Sequence, residues 1–323
     1  MKSSRVLQFS ARLILIILAI SCSEENDSAP DAPSAYEWKE SIISPDGLFT
    51  YARFGVGDDG HLYAFGSYTE TGQRACFKYP GPNWTGNTWT VISEPNLDTF
   101  SNLETLVIYH GSIYFHVFNT LFKIEGEETT EILSGEVITG IELYKDKLVI
   151  IGDDINVSNN NFTIVTYDGT NFEPVSTELA LSRPIPANDK LYIQGFPGFA
   201  FDGQSLSELD YGGYFFAVDG DENIYFGDAY NKDFTLGKKI SGGYETVGHT
   251  IHGIGIPREV LLYDNTVVMV GGDDLGTTSF AYYLDNEKWI QVPTDHVIYD
   301  VVIFDNKLLS MSLDGKLFEL VKK

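Results

Sequence analysis

The chain has little methionine, cysteine or positive charge. Its 323 residues include three Met, two Cys and six His, and 21 Lys and Arg stand against 46 Asp and Glu, for a net charge of −25. So few basic residues argue against a nucleic-acid binder, whose phosphate contacts need Lys and Arg. They argue equally against polybasic docking on anionic lipid. The apolar run Leu13–Ile20 is only eight residues long, too short for a bilayer span of about 20. Standard catalytic signatures are missing too: no Gly-x-Ser-x-Gly elbow, no His-Glu-x-x-His, no phosphate-binding Gly-x-x-x-x-Gly-Lys. What the chain does have is 43% hydrophobic and 14% aromatic residues, which excludes a disordered protein. Its 31 Gly, 19 Tyr and 21 Phe favour β structure, since aromatics suit pleated surfaces and Gly suits tight turns.

The first 21 residues read as a secretory signal. Lys2, Arg5 and Arg12 form a positive region ahead of Leu13–Ile20, the pattern of a cleaved leader. Ala19-Ile20-Ser21-Cys22 follows and resembles the lipobox of bacterial lipoproteins, in which the Cys is lipidated and becomes the new N-terminus. The family usually carries Leu three residues before the Cys; here Ala19 holds that place and Leu18 precedes it. An ordinary signal with an incidental Cys is the other reading. Residues 22–35, with Glu24, Glu25, Asp27, Pro30, Asp31 and Pro33, read as an unstructured acidic tether. An acidic run directly after the lipidated Cys resembles the export signal of Gram-negative surface lipoproteins, which implies an outer-membrane lipoprotein displayed at the surface, a periplasm-facing one being the alternative. With Cys22 lipidated, Cys76 is left without a disulfide partner, and its Ala75-Cys76-Phe77 setting predicts a buried, inert thiol.

The rest of the chain is repetitive. An apolar stretch, a polar turn and a second apolar stretch recur seven times, from Val56-Gly-Asp-Asp-Gly-His-Leu62 through Leu143-Tyr-Lys-Asp-Lys-Leu148 and Leu262-Tyr-Asp-Asn-Thr-Val267 to Ile303-Phe-Asp-Asn-Lys-Leu308. These turns carry the Asp/Asn/Gly chemistry of short hairpins. A second hairpin follows each of the first six, ending in an outer strand such as Trp89–Ser93, Phe172–Ser176 or Trp289–Pro293. The seventh repeat stops after its third strand, Lys316–Val321, and Trp38–Ile43 near the N-terminus has the form of the missing fourth. Residues 36–323 are therefore expected to be one all-β domain, a seven-bladed β-propeller of four-stranded antiparallel blades whose last blade is closed by the N-terminal strand. Closure removes the edges that an open array would expose.

The unit resembles the kelch, or galactose-oxidase, type of propeller. Kelch strands end in Gly-Gly, followed by a Tyr and later a Trp. Here Gly271-Gly272 leads to Tyr283 and Trp289, Gly66 to Tyr79 and Trp89, and Gly152 to Tyr167 and Phe172. Only one repeat has both glycines. The copper chemistry of kelch-type oxidases needs a Cys-linked Tyr, and Cys76 lies outside any matching motif, so no copper site is implied.

Propeller topology gathers certain loops on one face, the usual ligand side of the family. Second-to-third-strand loops bring Asp153, Asp154, Asp228, Asp273 and Asp274 there; between-blade loops bring Asp98, His249, His252, Asp295 and His296. His249, His252, Asp273, Asp274, Asp295 and His296 are the candidate set for a divalent metal; otherwise no cofactor is expected. Asp219-x-Asp221-x-Asn223 starts like a calcium loop but lacks its Gly and Glu and reads as a hairpin turn. Arg53 and Arg258 fall at matching spacing before the glycines of repeats one and six, and Glu104 and Tyr299 hold the corresponding places in repeats two and seven. The two guanidinium groups are placed to pair with a ligand carboxylate such as that of an acidic sugar, or else with Glu104, Glu259 or Asp300 to tie blades together. Tyr68, Phe118, Phe196, Phe199 and Tyr230 are candidate stacking rings for sugars.

These features point to a lipid-anchored, non-catalytic module that binds a glycan or another envelope protein. The alternatives are a glycan hydrolase or lyase working with carboxylates of the ligand face, and a structural subunit of an envelope complex.

Overall fold

A computed structural model describes residues 34–323 apart from 46, 82–88, 94–104, 178–181, 196, 210–214, 220–222, 231–232, 242, 255 and 273–277. Among the described residues there are 28 β-strands and no helix. They form seven four-stranded antiparallel sheets standing in a ring.

Strand β1 (Tyr36–Glu40) is set apart by its sequence position. Blade one is β2 (Phe49–Val56), β3 (Leu62–Tyr68), β4 (Arg74–Lys78) and β5 (Thr90–Ser93). Blade two is β6 (Leu106–Tyr109), β7 (Ser112–Val117), β8 (Thr120–Glu125) and β9 (Glu128–Ser134), and blade three is β10 (Val137–Tyr144), β11 (Lys147–Val157), β12 (Asn160–Tyr167) and β13 (Phe172–Ser176). Blade four is the compact one, with β14 (Ser182–Ala187), β15 (Lys190–Gln194), β16 (Phe199–Phe201) and β17 (Leu206–Glu208). Blade five follows as β18 (Phe215–Val218), β19 (Ile224–Tyr230), β20 (Asp233–Ile240) and β21 (Gly243–Ile251). Blade six is β22 (Ile256–Tyr263), β23 (Thr266–Gly272), β24 (Ser279–Asp285) and β25 (Lys288–Val292). Blade seven has β26 (Ile298–Phe304), β27 (Lys307–Ser312) and β28 (Leu317–Lys322), with β1 as its outer strand. The pairing runs from Tyr36 opposite Lys322 to Glu40 opposite Phe318. The expected closure by the N-terminal strand is therefore present.

The polar turns do what their chemistry dictates. Lys145-Asp146, Asn188-Asp189, Asp264-Asn265 and Asp305-Asn306 each hold two successive residues at φ between +46° and +58° or +59°. That is the type I′ geometry whose twist matches a tight hairpin and which Asn and Asp tolerate. At the blade-five turn, Asp219 accepts hydrogen bonds from Asn223 N and Nδ2, both at 2.8 Å. Asp219 and Asn223 are thus tied together by side-chain hydrogen bonds where β18 gives way to β19.

Seven apolar clusters hold the ring together, one at each junction between neighbouring blades. Phe65, Cys76 and Phe115 join blades one and two; Tyr114, Leu133 and Ile150 join two and three; Ile151, Ile164 and Phe201 join three and four. Tyr192 meets Ile224 between four and five, Phe234 meets Met269 between five and six, and Val268 meets Leu320 between six and seven. Phe49, Phe77 and Met311 complete the circle between seven and one. Among the described residues no blade has a private core; each buries its faces against its neighbours, so the core forms as the ring closes. Cys76 is fully buried in this packing, and burial pushes its thiol pKa well up, which keeps it protonated and inert.

Candidate functional site

The innermost strands β2, β6, β10, β14, β22 and β26 line a cavity of about 530 Å³ in the central channel, within the size range of small-molecule sites. A recurring irregularity shapes its wall. In blades three, four, six and seven the innermost strand carries one extra residue against its neighbour: Thr139, Arg183, Arg258 and Tyr299. Blade one has a comparable irregularity between Thr50 and Arg53. Such bulges re-aim side chains, and Thr139, Arg258 and Tyr299 all reach the cavity.

The wall is layered. Arg53, Glu259 and Asp300 occupy one register level, opposite Phe65, Val270 and Met311 of their second strands. With Thr105, Thr139, Arg258 and Tyr299 they make a polar upper band. One residue further along the strands, Phe54, Leu106, Ile141, Pro184 and Val301 make an apolar band lining the same cavity. Glu142 lines it as well and accepts a hydrogen bond from Leu143 N at 3.0 Å.

Arg53 and Arg258 both lie here but not at equivalent positions, contrary to their matching spacing. The blade-one turn places three residues between the bonded pair Gly57 and His61, whereas the blade-six turn is the two-residue Asp264-Asn265. That longer turn moves Arg53 one step along, level with Glu259, while Arg258 is the bulge residue and matches Tyr299. Both arginines reach blade seven. Arg53 Nη1 donates to Tyr299 O at 3.1 Å, its guanidinium carbon stands 4.7 Å over the Tyr299 ring, and Asp300 is 4.0 Å away. Asp300 in turn accepts from Phe54 N at 2.9 Å and Val301 N at 3.0 Å. Arg258 Nη1 donates to Ile298 O at 3.0 Å, and its Nη2 would stand 3.7 Å from a Cβ on Gly272. Such a Cβ would also lie 2.7 Å from Thr278 O, so the second glycine of the Gly-Gly pair allows a close backbone approach beside the guanidinium.

Behind Thr105 lies a residue that the sequence reading did not single out. His116 on β7 is fully buried, its Nε2 is 3.3 Å from Thr105 Oγ1, and its Nδ1 has no hydrogen-bond partner. Desolvation lowers its pKa from 6.5 to about 4, so the ring is neutral at pH 7. The signal was available: Ser112-Ile-Tyr-Phe-His116 places His where other second strands have Phe65, Ile151, Val270 or Met311.

The remaining candidates are scattered. His252 pairs with Asp233 of its own blade at 3.0 Å, and His249 lies exposed on β21. His296 is held within blade seven: its ring stacks on Phe318 at 3.7 Å, meets Trp38 edge-on, and its Nε2 is 2.9 Å from Ser310 Oγ. Asp295 lies 3.3 Å from its Nδ1. Burial outweighs this acid and lowers the His296 pKa. Asp273 and Asp274, like Asp98, Glu104, Phe196 and Cys22, lie outside the described residues. Among the described residues no three His, Cys, Asp or Glu come together as metal ligands. Asp153, Asp154 and Asp228 sit within β11 and β19 rather than in loops, because those strands run on past their glycines. Tyr230 ends β19 opposite Asp233. Tyr68 packs edge-on against Phe77 at 5.3 Å and Phe199 is buried in a blade junction, so neither is an open stacking ring. Phe118 is, with 64% of its surface exposed.

No protein-family model matches the chain, and no curated protein matches it. Solved structures do. A catalytically inactive virginiamycin B lyase from Staphylococcus aureus with quinupristin is 13% identical, with 88% of this chain and 99% of that one covered and a TM-score of 0.57. YCF48 from Cyanidioschyzon merolae is 11% identical over 88% and 98%, with a TM-score of 0.55. BamB from Moraxella catarrhalis is 13% identical over 83% and 81%, with a TM-score of 0.51. At such identities the likeness is one of architecture, and it agrees with the seven-bladed ring.

Proposed function

We propose that the chain is a lipid-anchored binding module of a Gram-negative cell envelope, a kelch-like propeller that recognises a glycan at the mouth of its central channel. The observation that carries the reading is the layered cavity, a polar band above an apolar one. Hydroxyl, carboxylate and guanidinium groups suit sugar hydroxyls, and an apolar surface suits the C–H face of a sugar ring. The kelch resemblance is supported by contacts between its marker aromatics: Tyr79 meets Trp89 at 5.6 Å and Tyr167 stacks on Phe172 at 4.5 Å. In this reading residues 1–21 are the signal, Cys22 carries lipid, and residues 22–35 tether the propeller of residues 36–323 at the cell surface. Loss of lipid labelling in Cys22→Ser, and digestion of the wild-type protein on intact cells, test the address; a protected protein would place it facing the periplasm.

The test of binding is a polysaccharide panel scored for both retention and product release. Retention without sugar release supports a binding module. Release of reducing or unsaturated ends would instead favour a hydrolase or lyase, a second reading kept because Glu142 and Glu259 line the cavity. Co-purification with a fixed protein, and no retention of any glycan, would favour a structural subunit.

A further inference from the structure

We propose that Arg258, and not Arg53, is the ligand-facing arginine of the channel, and that it pairs with the carboxylate of a uronic acid residue. The proposal rests on the glycan-binding reading and narrows it to one sugar chemistry and one anchoring side chain.

The two arginines differ in what already holds them. Arg53 is engaged on three sides, by Tyr299 O, by the Tyr299 ring and by Asp300, the pattern of a staple between blades one and seven. Arg258 spends one donor on Ile298 O, and among the described residues it pairs with no carboxylate. A guanidinium has five N–H donors in a planar fork. A partly buried one held at a single Nη still has donors to offer, and a carboxylate matches the fork in a bidentate pair. The main-chain bond to Ile298 and the small Gly272 beside it fix where the fork sits.

The opposite wall offers a second donor. Blade two is three blades from blade six around the ring, and Thr105 lines the cavity there. Neutral His116 has one N–H. Were it on Nδ1, a buried donor would go unsatisfied, which costs more than an idle ring lone pair. The proton therefore sits on Nε2 and is donated to Thr105 Oγ1. This leaves the Thr105 O–H proton to be donated elsewhere, and the cavity is open to it. Asp300 is neutralised by two backbone N–H groups and Arg53, while Glu259 and Glu142 supply acceptors for sugar hydroxyls. A uronic acid unit has the matching parts: one carboxylate, several hydroxyls and an apolar ring face for Phe54, Leu106 and Ile141.

The test is calorimetric titration of the full-length protein with trigalacturonate, a cellouronate trimer, the methyl esters of both, and cellotriose. The free acids are expected to bind at least about tenfold more tightly than their esters, the scale of a charge-assisted bidentate pair. Arg258→Gln should remove that preference, bringing acid and ester to equal affinity. Arg53→Gln should lower the melting temperature and keep the preference. Equal binding of acid and ester by the wild-type protein overturns the proposal whether or not any variant folds, and so does an Arg258→Gln protein that still prefers the acid; in both cases glycan binding stands. Binding of none of the five probes overturns the uronate proposal, and retention of no glycan on the wider panel overturns the glycan reading as well.

Discussion

Arg53 of blade one lies 4.7 Å over the ring of Tyr299 in blade seven and donates to that residue's own carbonyl at 3.1 Å. One planar group thus meets a ring face and a main-chain acceptor together, at the junction where the first and last repeats meet. Lysine keeps the charge but has neither the flat face nor the fork. Arg53→Lys is therefore expected to lower the unfolding free energy by about 2 kcal/mol, the scale of hydrogen bonds to charged groups. Urea titration of the variant beside the wild-type protein measures this; an unchanged midpoint would mean that charge alone serves.

The buried His116 makes stability depend on mild acid. Its folded pKa of about 4 lies below the unfolded value of 6.5, so between these the unfolded chain binds more protons and stability rises with pH. The contribution is complete above about pH 6.5 and declines as pH falls toward 4. Going from about pH 7.5 to about pH 5 should cost the wild-type protein about 2 kcal/mol through this group. His116→Leu should lose less over the same interval when melting curves are compared at the two pH values. Parallel losses in both proteins would assign the acid sensitivity to other groups, of which His296 is the next to examine.

Much of the fold was legible because its code is local. A two-residue turn such as Asp264-Asn265 needs positive φ twice, few residues accept that, and the requirement recurs in blades two, three, four, six and seven. The strand that closes blade seven was legible because Trp38 repeats the form of Trp89 and Trp289 at the far end of the chain. The channel wall was less so. Whether Arg53 matches Arg258 depends on a turn longer by one residue and on a bulge, and neither alters an alternating apolar pattern enough to be read from it. Asp153 and Asp228 look like loop residues only if strands end at their glycines, and β11 and β19 continue. His116 was visible as a break in the apolar pattern of the second strands, but its contact with Thr105, just ahead of β6, is recorded by no linear pattern.

The closure by β1 has a direct consequence for truncation. Beyond the ladder from Tyr36 to Glu40, Ser41 N donates to Leu317 O at 2.8 Å and Ala35 N to Tyr283 Oη at 2.9 Å. Tyr36 is buried against blade six, its ring 4.8 Å from Tyr283, and burial together with Asp264 pushes its hydroxyl pKa up to about 12. A chain beginning at Ser34 should melt as the full-length protein does. One beginning at Gly47 should lose cooperative unfolding and aggregate, because β28 becomes an open edge. Size-exclusion profiles and melting curves of the two distinguish these outcomes.

The junction of blades seven and one is tight at Gly315, in the turn between β27 and β28. Its φ is +82°, and a Cβ built there would lie 1.8 Å from Phe49 O, with Phe49 fully buried in the cluster between blades seven and one. Two independent penalties fall on any side chain at this place: an unfavourable backbone conformation, and a collision with main chain that no rotamer relieves. Gly315→Ala should therefore destabilise the protein by about 3 kcal/mol or more, in the range reserved for core overpacking and special backbone sites. Gly111 also has positive φ, +75°, but nothing stands within 4 Å of a Cβ built there. Gly111→Ala consequently carries the conformational penalty alone, about 1 kcal/mol. Melting the two variants side by side separates strain from collision, and equal losses would show that the contact with Phe49 relaxes at little cost.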